Sequence, residues 1–363
     1  MILKTYGWAF AVTALGLVLA VLYDGVEGIG LVAILAVLEI SLSFDNAVVN
    51  ATVLQRMNDF WQKIFLSVGI IVAVFGMRLI FPLLLVGVTA SISPIKAVQL
   101  ALEKGNPEEA GTYGYILNQA HPTIAAFGGM FLLMLFLNFI FGEKEHHWLG
   151  GLERVLEKMG RIGAMPVIVG GVVLFIVAKT FASDHSQTVL AAGLLGMVVY
   201  LLVDGLGELF DVGDDGESET LPARKGPSEI AKLGGKAAFF LFLYLEVLDA
   251  SFSFDGVIGA FAITNDAIII AIGLGVGAMF IRSMTVHLVR EGTLSQFPFL
   301  ENGALWAIGA LAAILLVSIE FEVPEVVTGL VGVAFIVAAL LSSIVHNRRN
   351  PVSAPREDHA QVS

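Results

Sequence analysis

Ten stretches of this chain are mostly apolar over about 17 residues or more, a pattern that few folds can accommodate. They cover residues 6–23, 29–54, 64–90, 122–142, 164–181, 187–206, 237–263, 267–289, 303–319 and 324–345. A helix of that length crosses the roughly 30 Å hydrocarbon core of a bilayer and satisfies its own backbone hydrogen bonds where water is absent. The predicted fold class is therefore all-α, a polytopic membrane protein of about ten transmembrane helices. Composition agrees, since 57% of the 363 residues are hydrophobic and 14% charged, against roughly 25% charged in soluble domains. The first run follows a single lysine, Lys4, and lacks a small-residue cleavage pattern, so it reads as a retained helix.

What is missing narrows the chemistry. There is no cysteine, which removes disulfides, thiolate nucleophiles and thiolate metal ligands. No G-x-x-x-x-G-K-[ST] sequence occurs, so an ATP-driven pump would need a separate subunit. The expectation is a protein that is not an enzyme, holds no tight cofactor and has the lipid bilayer as a partner and nucleic acid as none.

Orientation follows from the lysines and arginines, which gather in cytoplasmic loops. With alternating spans, fifteen of the twenty fall on one side, from Lys4, Arg56 and Lys63 to Arg348, Arg349 and Arg356. Lys96 and Lys104 fall on the other, Lys179 near its boundary, and Arg78 and Arg282 within spans. Both termini are thus expected in the cytoplasm of an inner-membrane protein. The partition also supports the count, because a single miscounted helix would scramble it.

The runs repeat as an ordered set. Residues 16–25, GLVLAVLYDG, resemble 196–205, GMVVYLLVDG, while FIVA occurs at 175–178 and again at 335–338, and the third and eighth runs each hold a midspan arginine, Arg78 and Arg282. Two five-helix halves are expected, 1–185 and 186–346. Because five is odd, equivalent helices run in opposite directions, the inverted repeat of secondary transporters whose sites lie where the halves meet. An external connection, 91–121, is expected to hold a short helix opened by Asn106-Pro107-Glu108-Glu109. Residues 148–159 read as an amphipathic interfacial helix or surface connector, 211–235 as a cytoplasmic linker, and 347–363 as a disordered tail.

Within this frame Ser43-Phe44-Asp45 recurs as Ser253-Phe254-Asp255, 210 residues later. At that spacing Glu39 aligns with Asp249, Asp45 with Asp255 and Asn46 with Gly256, and Glu246 is an extra acid. A charged side chain in hydrocarbon costs at least about 2.5 kcal/mol, so five acids need a reason. Glu39, Ser43, Asn46 and Asn50 share one helical face, as do Glu246, Asp249 and Ser253. Asp45 and Asp255 lie about 120° away, so either each meets another neighbour or the backbone loosens at the Ser-Phe-Asp step. Their oxygens suit Mg²⁺, Ca²⁺ or Mn²⁺. Five acids against Arg78 and Arg282 leave a formal charge of minus three, which one divalent ion brings to minus one. Carboxylates so close resist ionising together, which makes proton exchange a natural coupling. Acids locked to Arg78 and Arg282 as structural ion pairs are the competing reading. His121 is expected at an external helix mouth, and Asp24, Asp204 and Glu208 at solvated helix ends.

At these residues the chain resembles the TerC-like integral membrane proteins of the wider LysE-type exporter group. Glu39 to Asn46, EISLSFDN, carries the resemblance, and Gly256 departs from it. The resemblance implies divalent metal export, manganese above all, with Glu39, Asp45, Asn46, Glu246, Asp249 and Asp255 handling the ion. Ser43, Asn50, Ser253, Arg78 and Arg282 support them. The expected function is a secondary transporter that exports a hard divalent cation, most readily Mn²⁺, in exchange for protons. Two alternatives are a membrane scaffold or assembly factor, and an exporter of an organic cation such as a basic amino acid. Homo-oligomerisation stays open.

Overall fold

The computed structural model describes residues 2–349 except 145, 183, 184, 212–234, 262 and 291–295, and within its helices the side chains of Asp45, Ser253 and Asp255 are among those outside the description. The linker 211–235 and tail 347–363 therefore lie almost wholly outside the described residues. The described residues are helical with no strand. The elements are α1 (Ile2–Leu42), α2 (Phe44–Leu54), α3 (Asp59–Ile71), a π-helical segment (Val72–Ile80), α4 (Phe81–Thr89), α5 (Pro94–Leu102), α6 (Tyr113–Phe141) and α7 (Gly150–Gly160). They continue as α8 (Met165–Thr180), α9 (Ser186–Asp211), α10 (Gly235–Ala260), α11 (Ala267–Arg290), α12 (Leu300–Val317) and α13 (Glu325–Arg349).

The first two apolar runs form a hairpin inside α1. Gly25 takes φ 69° and ψ −151°, a conformation open to glycine and costly for any residue with a Cβ. Beyond it the chain doubles back, so that a Cβ at Gly28 would stand 2.8 Å from the Ala20 carbonyl oxygen, a contact a straight helix cannot make across eight residues. Neighbours on α11 give the directions. Tyr6 meets His287 and Phe10 meets Phe280 in the first arm, whereas Leu35 lies on Gly273 and Glu39 on Gly277 in the second. The first arm thus runs antiparallel to α11 and the second parallel to it.

The second run does not continue as one helix. It breaks at Ser43, whose φ of −102° and ψ of 16° leave the helical range, and resumes as α2. The matching step in the second copy lies inside α10, unbroken from Gly235 to Ala260. The expected loosening is therefore seen in one copy only. The third run is one helical rod in which the π segment, carrying Arg78, sits between α3 and α4. Such wide turns change side-chain register locally and occur often at functional sites.

The external connection differs from expectation. Its helix is α5, opened by Pro94 and capped by Ser93, whose side chain accepts from Lys96 N–H. Asn106 makes a turn instead, its Oδ1 accepting from Glu108 N–H at 3.1 Å. Between Gly105 and Gly111, which takes φ 89°, there is no room for a helix. Because Thr112 caps α6 at Tyr113, His121 lies inside that helix and not at its mouth. Asp204 is likewise inside α9, accepting from Asn138 at 3.1 Å.

Two apolar clusters hold the fold. One joins α2, α3, α6, α8, α9, α10, α12 and α13 around Phe131, Met134, Tyr200 and Leu248. The other joins α1, α4, α5, α6, α10 and α11 around Leu35, Leu117 and Leu274. The outside is apolar as well, with Leu22, Val26, Phe175 and Leu330 all exposed, as in a protein whose solvent is lipid. Six described helices are long and apolar enough to cross a membrane, or seven if α7 and α8, bent by 101°, count as one. The first two expected runs fall together in α1, which counts once.

Candidate functional site

Helical spacing puts Glu39, Ser43, Asn46 and Asn50 on one face, and all four are buried across the break at Ser43. Facing them on α10 are Glu246 and Asp249, also buried. The helices cross antiparallel. Asn46 and Asn50 donate to Asp249 Oδ1 at 2.6 and 3.3 Å, while Glu39 lies opposite Gly256, where a Cβ would stand 3.3 Å from Glu39 Oε2. Residues 46 and 256 are equivalent in the repeat, as are 39 and 249. The same contact is thus made twice, with a side-chain amide in one copy and none in the other.

Glu39 and Asp249 each have their own arginine. Arg78 from the π segment pairs with Glu39 Oε1, which also accepts from Ser43 Oγ at 3.0 Å. Arg282 from α11 donates to Asp249 Oδ2 at 3.2 Å and to the carbonyls of Phe65 at 3.1 Å and Gly69 at 2.9 Å. Its guanidinium lies 3.9 Å over the Phe65 ring, a cation–π arrangement that strengthens out of water. Removing one partner from such a buried pair leaves an uncompensated charge.

Glu246 is different. Neither of its carboxylate oxygens has a hydrogen-bond donor among the described residues, and Arg282 Nη2 approaches Oε1 only to 3.6 Å. Gly69 makes even this approach feasible, since a Cβ there would stand 2.8 Å from Glu246 Oε1 and 3.0 Å from Arg282 Nη1. With three described acids facing two arginines, the cluster has a formal charge of minus one. A buried carboxylate is costly unless a cation, a proton or hydrogen-bond donors compensate it. Among the described residues no three acidic or imidazole side chains converge as a ready-made metal cage.

One helical turn beyond Asn50 and Arg282 lies a cavity of about 240 Å³, lined by Leu54, Asp59, Gln62, Lys63, Val286, Val289 and Arg290. It does not contain the acids but adjoins them from the end of the molecule where Lys63 and Arg290 stand.

Of the residues singled out from the sequence, Glu39, Ser43, Asn46, Asn50, Arg78, Glu246, Asp249 and Arg282 come together in this cluster. The side chains of Asp45, Ser253 and Asp255 lie outside the described set. Phe65 and Gly69 went unnoticed in the sequence. Their four-residue spacing, an aromatic and a small residue on one face, was the only available signal.

The comparisons with known proteins give one result. The family model described as "Protein of unknown function (DUF475)" matches residues 44–350. No curated protein and no solved structure matches.

Proposed function

The chain belongs to the DUF475 family, and we propose that it is a secondary transporter exporting a hard divalent cation, Mn²⁺ first among candidates, with proton exchange as its coupling. The observation that carries this reading is Glu246, a buried carboxylate with no hydrogen-bond donor among the described residues and Arg282 only within 3.6 Å, in a cluster whose described acids outnumber its arginines by one. Such a group is one a cation or proton would stabilise, and one a purely structural ion-pair layer would omit. The oxygen-only ligand set of Glu246, Asp249, Asn46 and Asn50 favours a hard ion.

Ten spans in two inverted halves are part of the proposal. The arms of α1 are roughly 35 and 25 Å long at 1.5 Å per residue, and α2 continues the second beyond the roughly 30 Å a crossing needs. Equivalent packings also recur around the cluster. The α2 helix packs on α12 as α10 packs on α6, α11 packs on α2 as the π segment packs on α10, and α12 packs on α13 as α6 packs on α8. The outermost helices depart from this, since the first arm of α1 lies on α11 while α9 lies on α6. In this reading Arg78 and Arg282 hold the acids between transport events and yield them as the cation arrives. The cavity beside Lys63 and Arg290 is its cytoplasmic approach, on the positive-inside orientation with both termini in the cytoplasm.

A second reading draws on Phe65. A guanidinium already rests on its ring between two acids, which is how an organic cation such as arginine would be held. Purified protein in liposomes separates the two. Mn²⁺ flux that Asp249→Asn and Asp45→Asn abolish supports metal export, flux of arginine in place of Mn²⁺ supports the second, and neither flux in protein that binds partner subunits would leave the scaffold reading standing.

A further inference from the structure

We propose that α7 is an in-plane helix that binds anionic phospholipid headgroups through Arg154, Lys158 and Arg161, with Leu152, Val155, Met159 and Ile162 inserted beside them. The inference needs only that α8 spans a bilayer. It does not depend on what the cluster transports.

The sequence of α7, GGLERVLEKMG, holds two acids and two bases, and Arg161 follows at its C-cap. Taken alone it is nearly neutral. Packing turns the two acids toward protein partners and leaves the bases outside. Glu153 is fully buried, its Oε2 accepting from Trp148 N–H at 2.9 Å and its Oε1 from Trp306 Nε1–H at 3.0 Å. Glu157 turns to His147 at 2.6 Å. Lys144 lies on this inner side too, above the Phe139 ring at 4.7 Å. Burial pushes its ammonium below the usual lysine value, with Glu153 and Glu157 opposing the shift. Both acids of the helix therefore have protein partners, Glu153 wholly buried and Glu157 half-buried, while Arg154, Lys158 and Arg161 are all exposed.

The apolar residues are sorted as well. Leu156 packs inward beside Leu137, Ile140 and Trp306, and a Cβ at Gly160 would strike the Phe141 carbonyl oxygen, so the helix end is pressed onto α6. Leu152, Val155, Met159 and Ile162 are instead 51%, 57%, 43% and 57% exposed. On a helical wheel they form one stripe, and Arg154 and Lys158 form the next, about 60–100° round. The 101° bend between α7 and α8 lays that surface along the membrane plane when α8 crosses it. An apolar stripe edged by cations at this level fits acyl chains and phosphates together.

The test uses the full chain in nanodiscs. Wild-type protein should gain thermal stability when phosphatidylglycerol replaces part of the phosphatidylcholine. The triple variant Arg154→Gln, Lys158→Gln, Arg161→Gln should match wild type in phosphatidylcholine and lose that gain, with lipid affinity falling about fivefold per cation removed. An undiminished gain in the triple variant overturns the proposal. Because the chain has no cysteine, Val155→Cys can carry a single fluorophore even if the triple variant folds poorly. Quenching by brominated acyl chains is expected. Quenching by aqueous iodide instead, or protection that vanishes when the protein is diluted to one copy per disc and so reports a second copy, also overturns it.

Discussion

Two buried glutamates divide this molecule. Glu153, on the surface helix, is wholly enclosed and has a donor on each oxygen, one from the backbone and one from an indole. Glu246, in the bundle, is nearly as enclosed and has a donor on neither among the described residues. Burial alone would rank Glu153 as the more unusual residue. Satisfaction reverses the order: a buried carboxylate with its hydrogen bonds made is a structural tie, and one without them is a site waiting for charge.

The sharpest way to break this contrast is to neutralise both acids. Glu246→Gln is expected to lower cation flux in liposomes by more than about tenfold, a loss of about 1.4 kcal/mol or more of binding. The same change should raise the thermal midpoint of the cation-free protein, because an uncompensated buried charge is gone. A fall in both would return Glu246 to the structural class. Glu153→Leu should act in the opposite sense. It strands the Trp148 and Trp306 N–H groups and is expected to cost about 2–4 kcal/mol of stability, read as a lowered midpoint, while flux per folded molecule is retained.

Gly69→Ala sharpens the comparison without touching an acid. The added methyl would stand at 2.8 and 3.0 Å from Glu246 and Arg282, forcing them apart. Cation affinity measured by titration calorimetry should fall several-fold, with a smaller loss of stability than Glu153→Leu causes.

The smallest effect concerns a third buried acid. Asp266 caps α11 through the Ile268 and Ile269 N–H groups at 2.9 and 3.3 Å and meets Lys104 Nζ at 2.7 Å. Lys104, at φ 51°, also reaches toward Asp24 at the hairpin tip. Its hydrogen bond with Asp266 raises the ammonium above the ordinary 10.5. The stabilisation is therefore complete below 10.5 and lost as pH rises through the higher folded value. Lys104→Met should remove that alkaline fall in the thermal midpoint and lower the neutral midpoint by the same small amount, since Lys104 is exposed and solvent screens the pair.

Much of the site was legible in advance. The acids of the repeated motif, the amides at four- and seven-residue spacing and both midspan arginines stand out because polar groups in apolar runs are costly. Their pairing was not legible. That Arg78 meets Glu39 and Arg282 meets Asp249 depends on which helices touch, and the π segment that brings Arg78 there has no sequence signature beyond Gly76. The break at Ser43 and continuity at Ser253 likewise come from sequences almost identical over the step itself. Their different surroundings decide the backbone. The turn at Asn106 was misread because a capping pattern was present but the length for a helix was not.

The sequence by itself determined that this chain folds as helices among lipid and carries acids within them, because period, length and composition are local properties that no packing can reverse. Only the tertiary structure decided which charges are spent and which remain. Neither Glu153, in an amphipathic stretch, nor Glu246, in an apolar run, shows in the sequence whether it finds donors, and α7 looks neutral as a string. Donors such as Trp306 and the arginines arrive from elements far away in the chain, and among the described residues they satisfy Glu153, leave Glu246 without a donor and leave the bases of α7 exposed.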